Sequence, residues 1–352
     1  MAQDVLTEVG RLSISGAVVA AGAIPVGIVA TALVARSGRR LLPSWTVPAA
    51  PKVGGELPTS AADIGYTLLV MFLFVAYPVF VGAGSGFLSA FGLFDHPPAP
   101  DAPDGDPLAP LRAASGTVVA APVLVAVWLW LRHRAAGGAL PWTESELARQ
   151  VALGVAAWVA VTPVVFAVHV LTTWAAEQIG SGTDEHPFSR LTSGLSPAEQ
   201  VLFGLIACYF TPLAEEVLFR GLFIGWTGGR WYRSWVILGL AAIPAVSAGI
   251  GPDGKTGPIV FLGVLTVGLY AIQRLGSARP WFPARTVVSV YATAALFALA
   301  HSRVWPSPVP LFVLGLALGY LATRTNRIAA CVVLHGLFNA VSYVYVLRGG
   351  SG

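Results

Sequence analysis

Charge is what this chain has least of. Of its 352 residues, 21 are Lys or Arg and 17 are Asp or Glu, so only 11% are charged, against roughly 25% in an ordinary soluble domain. Surface grows almost as fast as mass, so a water-soluble globule of this size could not hide a chain that is 55% hydrophobic. A soluble fold is excluded for most of the chain, and lipid must be its solvent. Cysteine is nearly as scarce. Cys208 and Cys331 lie inside apolar runs without disulfide-framework or metal-site spacing, so they read as small buried hydrophobes. Internal repeats and a soluble catalytic module are also missing. So is a basic signal-peptide n-region: Asp4, Glu8 and the single cation Arg11 precede the first apolar run, which reads as a membrane helix rather than a cleaved leader. The pI of 9.3 does not point to nucleic acid, because the cations sit in short loops between apolar runs and read as topology signals.

A membrane-crossing helix takes about 20 apolar residues. Runs bounded by charge, Pro and Gly fall near 13–35, 62–83, 115–131, 151–174, 199–224, 235–250, 257–273, 286–301, 308–323 and 328–347. The expected architecture is therefore an all-α, polytopic membrane bundle of about 8–10 transmembrane helices. The loops alternate in charge. Arg36, Arg39, Arg40 and Lys52, then Arg132, Arg134 and Arg149, then Arg230 and Arg233, then Arg274, Arg279 and Arg285, then Arg324 and Arg327 fall on one side. The other side has Arg112, Arg190, Lys255 and Arg303, together with the acids Asp95, Asp101, Asp104, Asp106, Glu177, Asp184 and Glu185. By the positive-inside rule the basic loops are expected in the cytoplasm and both termini outside it. The expected location is the cytoplasmic (inner) membrane of a bacterium. Segments 94–110 and 179–197 read as irregular loops, the second leading into a helix opened by Ser196 and Pro197.

The segment YFTPLAEEVLFRGLF, residues 209–223, puts Glu215, Glu216 and Arg220 inside an otherwise apolar run. Each such residue costs about 2.5–3.5 kcal/mol at a helix centre on insertion scales, so something in the bundle must offset them. Glu216 and Arg220 are four apart and suited to an ion pair. Glu215 points about 100° away, leaving its carboxylate for another helix. Of the six histidines, His96, His133 and His186 lie in polar or basic loops, and His169 reads as a packing or hydrogen-bonding residue. His301 closes the run ALFALAHSR. His335 and Asn339, in VVLHGLFNA, are four apart on one helix face.

These side chains suit the addition of water to a carbonyl. A carboxylate in a low-dielectric pocket beside an imidazole can take a proton from water, and amide or imidazole N–H groups can donate to a developing oxyanion. The same Glu/His set suits a divalent metal. Two other readings remain: polar groups that hold helices together, and a proton relay in a transporter, which would call for an inverted repeat that the sequence does not show.

Three motifs occur in order on separate apolar runs: Glu215-Glu216-x-x-x-Arg220, Phe297-x-x-x-His301 and His335-x-x-x-Asn339. They resemble those of the CPBP intramembrane proteases, also called the CAAX protease or Abi family, which includes CAAX prenyl endopeptidases and bacteriocin self-immunity proteins. The resemblance covers residues 196–347 as a protease core; residues 1–195 carry no assigned motif. It implies an intramembrane endopeptidase acting on membrane-anchored or transmembrane protein substrates. In it Glu215 and His301 activate the water, His335 and Asn339 bind the substrate carbonyl or oxyanion, and Glu216 and Arg220 support the site. Zn²⁺ or another divalent ion bound through Glu215, His301 and His335 is compatible with the resemblance, and so is a metal-free mechanism. The alternative functions are a non-proteolytic scaffold or immunity-like protein and a proton-coupled transporter. Other intramembrane protease classes are not indicated, since HExxH, GxGD and a convincing GxSG are missing.

Two features depart from simple expectation. The runs 235–250 and 257–273 separate the first two motifs and read as a helical hairpin inserted at 235–273. Depth also differs. At 1.5 Å per residue, Glu215 lies about 14 Å from the cytoplasmic end of its run and His335 about 10 Å, but His301 about 22 Å. The helix bearing His301 must start deeper in the cytoplasm or tilt. Gly315-x-x-x-Gly319 further suggests close helix packing beside the site.

Overall fold

The computed structural model describes residues 61–90, 111, 114–135, 144–181, 196–228, 230–250, 254–278 and 284–347. The expected helix 13–35, the loop 94–110 and most of 179–197, with His96 and His186, lie outside the described residues. Among the described residues there are nine apolar helices and no strand: α1 (Ala61–Ala90), α2 (Thr117–Ala135), α3 (Glu144–Gln178), α4 (Pro197–Thr227), α5 (Trp231–Ile250), α6 (Gly257–Ala278), α7 (Ala284–Leu299), α8 (Pro308–Thr325) and α9 (Ala329–Leu347). Each falls on one of the apolar runs. Six are long and apolar enough to cross a membrane; α2, α7 and α9 have shorter apolar stretches. The polytopic helical bundle is as expected.

Local chemistry sets the ends. Ser196 and Glu199 form a reciprocal capping box at the start of α4, with Pro197 in the first turn. The same helix stops where Gly228 turns left-handed (φ 51°), and Asn326 (φ 53°) does this for α8. On α1, Leu68, Phe72, Val75 and Val79 form an exposed stripe at helical spacing, and Val260, Val264 and Val267 do the same on α6. In water these faces would aggregate; in a bilayer they are the lipid-facing surface.

Helix α7 is the centre. Its residues Ala292, Ala294, Ala295, Leu296, Phe297, Ala298 and Leu299 are all fully buried, because α5, α6 and α8 pack around it. A helix apolar on every side is what such a position requires. The pair α5 and α6, where the hairpin was expected, pack on each other and on α7, and Ile237, Ala241 and Ala245 on α5 are wholly buried in the resulting core. Helix α3 closes a second core with α8 and α9, around Val165, Leu314, Leu318 and Leu334. Helix α1 packs on α2, and α2 on α4. The α1–α2 contact depends on Gly116, since a Cβ there would fall on the Val81 carbonyl.

The Gly315 and Gly319 spacing serves α7 directly. A Cβ on Gly315 would lie 3.0 Å from the Ala294 Cβ, and one on Gly319 would lie 2.8 Å from Val290 Cγ1. Both glycines therefore let α8 close on the helix that carries Phe297. Replacing Gly319 by Leu should cost about 1–3 kcal/mol through overpacking, read as a lowered unfolding temperature of the detergent-purified protein. The control Gly263→Leu, on a face of α6 with nothing within 4 Å, should leave that temperature unchanged.

Candidate active site

Helix α4 is not a uniform α-helix. Ile206–Phe210 and Val217–Phe223 are π-helical turns on either side of the regular turn Thr211–Glu216. The regular helix expected over 199–224 is thus interrupted twice, as helices often are at functional sites. The first interruption follows from Pro212. Thr211 N–H reaches five residues back, to the Ile206 carbonyl. The Ala207 carbonyl then has no backbone donor in the helix, because the residue five ahead is Pro212, which lacks an N–H. The Asn339 side-chain amide takes its place, donating to the Ala207 carbonyl at 2.8 Å. Gly336 lets α9 come this close, since a Cβ there would fall on the Cys208 carbonyl.

The charged residues are brought together on this helix. Glu216 is fully buried, and its Oε1 accepts from Arg220 Nη1 at 2.9 Å and from His335 Nδ1 at 2.9 Å. Arg220 also donates to the Gly315 carbonyl at 3.4 Å, and its guanidinium lies 4.6 Å over the Phe297 ring. On the other side of the imidazole, His335 Nε2 is 3.7 Å from Glu215 Oε2. His335 therefore stands between the two carboxylates. They are not equivalent: the Glu215 side chain is 16% exposed and the Glu216 side chain 0%. Of the two acids, Glu215 alone keeps exposed surface. Glu216 Oε2 and Arg220 Nε are buried without a hydrogen-bond partner.

The six residues singled out in the sequence are placed as follows. Glu215, Glu216, Arg220 and His335 form one cluster. Asn339 is one turn farther along α9, with its amide engaged by Ala207. His301 lies just past the end of α7, in a turn, rather than within the helix. Its Nδ1 donates to the Phe297 carbonyl at 2.9 Å, because a carbonyl can only accept. His301 makes no contact with Glu215 among the described residues. The Phe297 ring links the two histidines, with centroids 5.3 Å from His301 and 5.5 Å from His335. The depth mismatch of α7 is accommodated by its position: Phe297 meets Phe219 and Arg220 edge-on and face-on, so α7 starts farther out than α4 ends.

Gly336 beside the site carried no sequence signal: only the packing of α9 on the π-turn of α4 shows that a Cβ there would meet the Cys208 carbonyl. His169 lies apart from this cluster, on α3.

The donors do not fit a three-ligand metal site as arranged. Among the described residues no three His, Cys, Asp or Glu side chains converge on one point; Glu215 and His335 are adjacent, but His301 is held to Phe297. The strong local dependence is instead the ion pair. Arg220→Ala should cost about 3–5 kcal/mol, because it leaves the Glu216 charge buried alone. The pair Glu216→Gln, Arg220→Met should recover much of that loss in thermal unfolding of the purified protein. Equal loss in both variants would contradict the placement of Glu216.

Residues 197–341 match the Rce1-like family, described as type II CAAX prenyl endopeptidase. No curated protein and no solved structure matches the chain. The matched segment runs from the start of α4 into α9 and contains Glu215, Glu216, Arg220, His301, His335 and Asn339, whereas α1, α2 and α3 precede it. Residues 197–341 are thus similar to the Rce1-like, type II CAAX prenyl endopeptidase domain, within a chain whose long apolar helices make it an integral membrane protein.

Proposed function

We propose that the protein is an intramembrane endopeptidase that hydrolyses a peptide bond of a membrane-anchored protein, with Glu215 as general base. The observation that carries this reading is the division between the two acids: Glu216 is sealed against Arg220 and His335, while Glu215 faces His335 across 3.7 Å and keeps access to a ligand.

Charge balance supports it. Two carboxylates and one guanidinium leave one negative charge in a region of low dielectric, where an uncompensated charge is costly. The His335 imidazole, which faces both acids, is the group placed to offset that charge. Glu216 holds His335 Nδ1, so the movable proton is the one at Nε2. In the step we propose, Glu215 takes a proton from water and the hydroxide adds to the substrate carbonyl. The His335 Nε2–H donates to the oxygen that gains charge, and Glu215 returns its proton to the leaving nitrogen as the C–N bond breaks. His301 is proposed as a second group acting on the water through its Nε2, and Asn339 as the residue that fixes α9 against the π-turn. No step is routed through a metal ion.

The family description makes a prenylated CAAX peptide the appropriate first probe. Glu215→Gln keeps the shape of the side chain and removes the base. On an internally quenched farnesylated CAAX peptide in proteoliposomes, its kcat should fall by about 10²–10⁴ with the fold retained. His335→Gln should fall comparably, and chelator treatment should leave the wild-type rate unchanged. Full activity of Glu215→Gln would remove the protease reading and leave a scaffold or immunity-like role for the same cluster.

A further inference from the structure

The geometry points to Lys255 and Gly257, in the turn between α5 and α6, as positioning residues for His301: they hold the turn between α7 and α8 that carries the histidine. This inference rests on the endopeptidase reading above. It gives a task to the helix pair that separates the first two sequence motifs.

The need for support starts with the place of His301. It lies beyond Leu299, the last residue of α7, so the regular helical ladder no longer fixes its backbone. Its N–H reaches only three residues back, to the Ala298 carbonyl at 3.0 Å, and its carbonyl accepts from the Val304 N–H at 3.1 Å. The next turn closes from the Ser307 N–H to the Val304 carbonyl at 2.9 Å. Between these bonds the Arg303 carbonyl has no local donor in reach of a turn, because the residue three ahead is Pro306, which lacks an N–H. Lys255 supplies the donor: its Nζ gives a hydrogen bond to the Arg303 carbonyl at 2.8 Å. The positive charge on the donor strengthens this contact over a neutral one. The device is the one seen at Pro212 and Asn339, where a proline releases a carbonyl and a side chain from another element takes it.

Lys255 is itself anchored. Its backbone N–H returns to the Ala248 carbonyl of α5 at 3.3 Å, and the Thr256 carbonyl accepts from the Ile259 and Val260 N–H groups at the start of α6. Gly257 then lies against Trp305, since a Cβ there would fall on the indole ring. The α5–α6 turn therefore touches the segment after His301 at two places, Arg303 and Trp305. Farther along, Phe261 on α6 meets Phe312 on α8 edge-on with centroids 6.1 Å apart, and Phe312 meets Tyr291 on α7 at 5.0 Å. Helix α6 thus braces the α7–α8 pair as well as its turn. The His301 ring is held from α7 by the Phe297 carbonyl, and the chain that follows it is held from the α5–α6 turn. Both supports are needed to fix where the imidazole points.

Loss of the second support leaves the imidazole present but misplaced, and a displacement of about 1 Å at a reacting group can cost about 10²-fold in rate. Lys255 and Gly257 act only through His301 and touch neither substrate nor water in the step proposed.

The test measures kcat and KM on the internally quenched farnesylated CAAX peptide in proteoliposomes for the wild type, Glu215→Gln, Lys255→Met, Lys255→Arg and Gly257→Ala. Lys255→Met and Gly257→Ala should each lower kcat by about 10–10²-fold with KM little changed. Lys255→Arg, which brings a cation to the same carbonyl, should recover most of the rate. A wild-type kcat in Lys255→Met alongside an inactive Glu215→Gln overturns this inference and leaves the endopeptidase reading standing. Equal loss in Lys255→Met and Lys255→Arg has the same consequence, whereas an active Glu215→Gln overturns both. A second measurement needs no turnover: amide hydrogen exchange over residues 302–307 should be faster in Lys255→Met than in the wild type or Lys255→Arg, with exchange around His335 unchanged. Unchanged exchange over 302–307, or equal acceleration in both segments, also overturns the inference.

Discussion

The site is organised around Glu216 Oε1, a single buried oxygen that accepts from Arg220 on its own helix and from His335 on α9. In a bilayer neither an isolated carboxylate nor an isolated guanidinium is tolerated, so the pair must form together. Once formed, it does more than neutralise itself. It orients the imidazole, and the imidazole in turn faces Glu215. The face of Arg220 lies on Phe297, and its other contact is the carbonyl of Gly315. One ion pair therefore ties α4, α7, α8 and α9 at a common level.

Backbone irregularity is the second constraint. A continuous α-helix would satisfy every carbonyl internally and offer α9 nothing to bind. Pro212 and the π-turn before it release the Ala207 carbonyl, and Asn339 takes it. The approach depends on Gly336 facing the Cys208 carbonyl. The position of His335 thus follows from a polar contact one turn away as well as from its own bond to Glu216. The Asn339 amide thus has a structural contact in the fold, one that a linear motif does not announce.

Polar groups are scarce in a chain built for lipid, and here they are concentrated at one place. The central helix α7 contributes a fully buried aromatic, with His301 just beyond its end, while the charges come from α4 and α9. Helix α1 packs on α2 and α2 on α4, and both expose much of their surface as the lipid-facing wall.

Much was legible in the sequence. The apolar runs marked all nine described helices, because hydrocarbon demands length and apolarity that few soluble segments share. The i, i+4 spacing gave the Glu216–Arg220 pair, and the turn of about 100° sent Glu215 to another helix, as local geometry requires. The glycine spacing on α8 suggested a close helix approach, and the fold gives α7 as its partner. What tertiary structure alone decided depends on contacts between distant segments. A linear motif does not say that one imidazole stands between both acids, that the amide of Asn339 answers a carbonyl released by Pro212, or that His301 turns to its own Phe297. Periodicity reports which face of a helix is apolar, whereas the partner of each polar group is set by which helices pack together and where their backbones are interrupted.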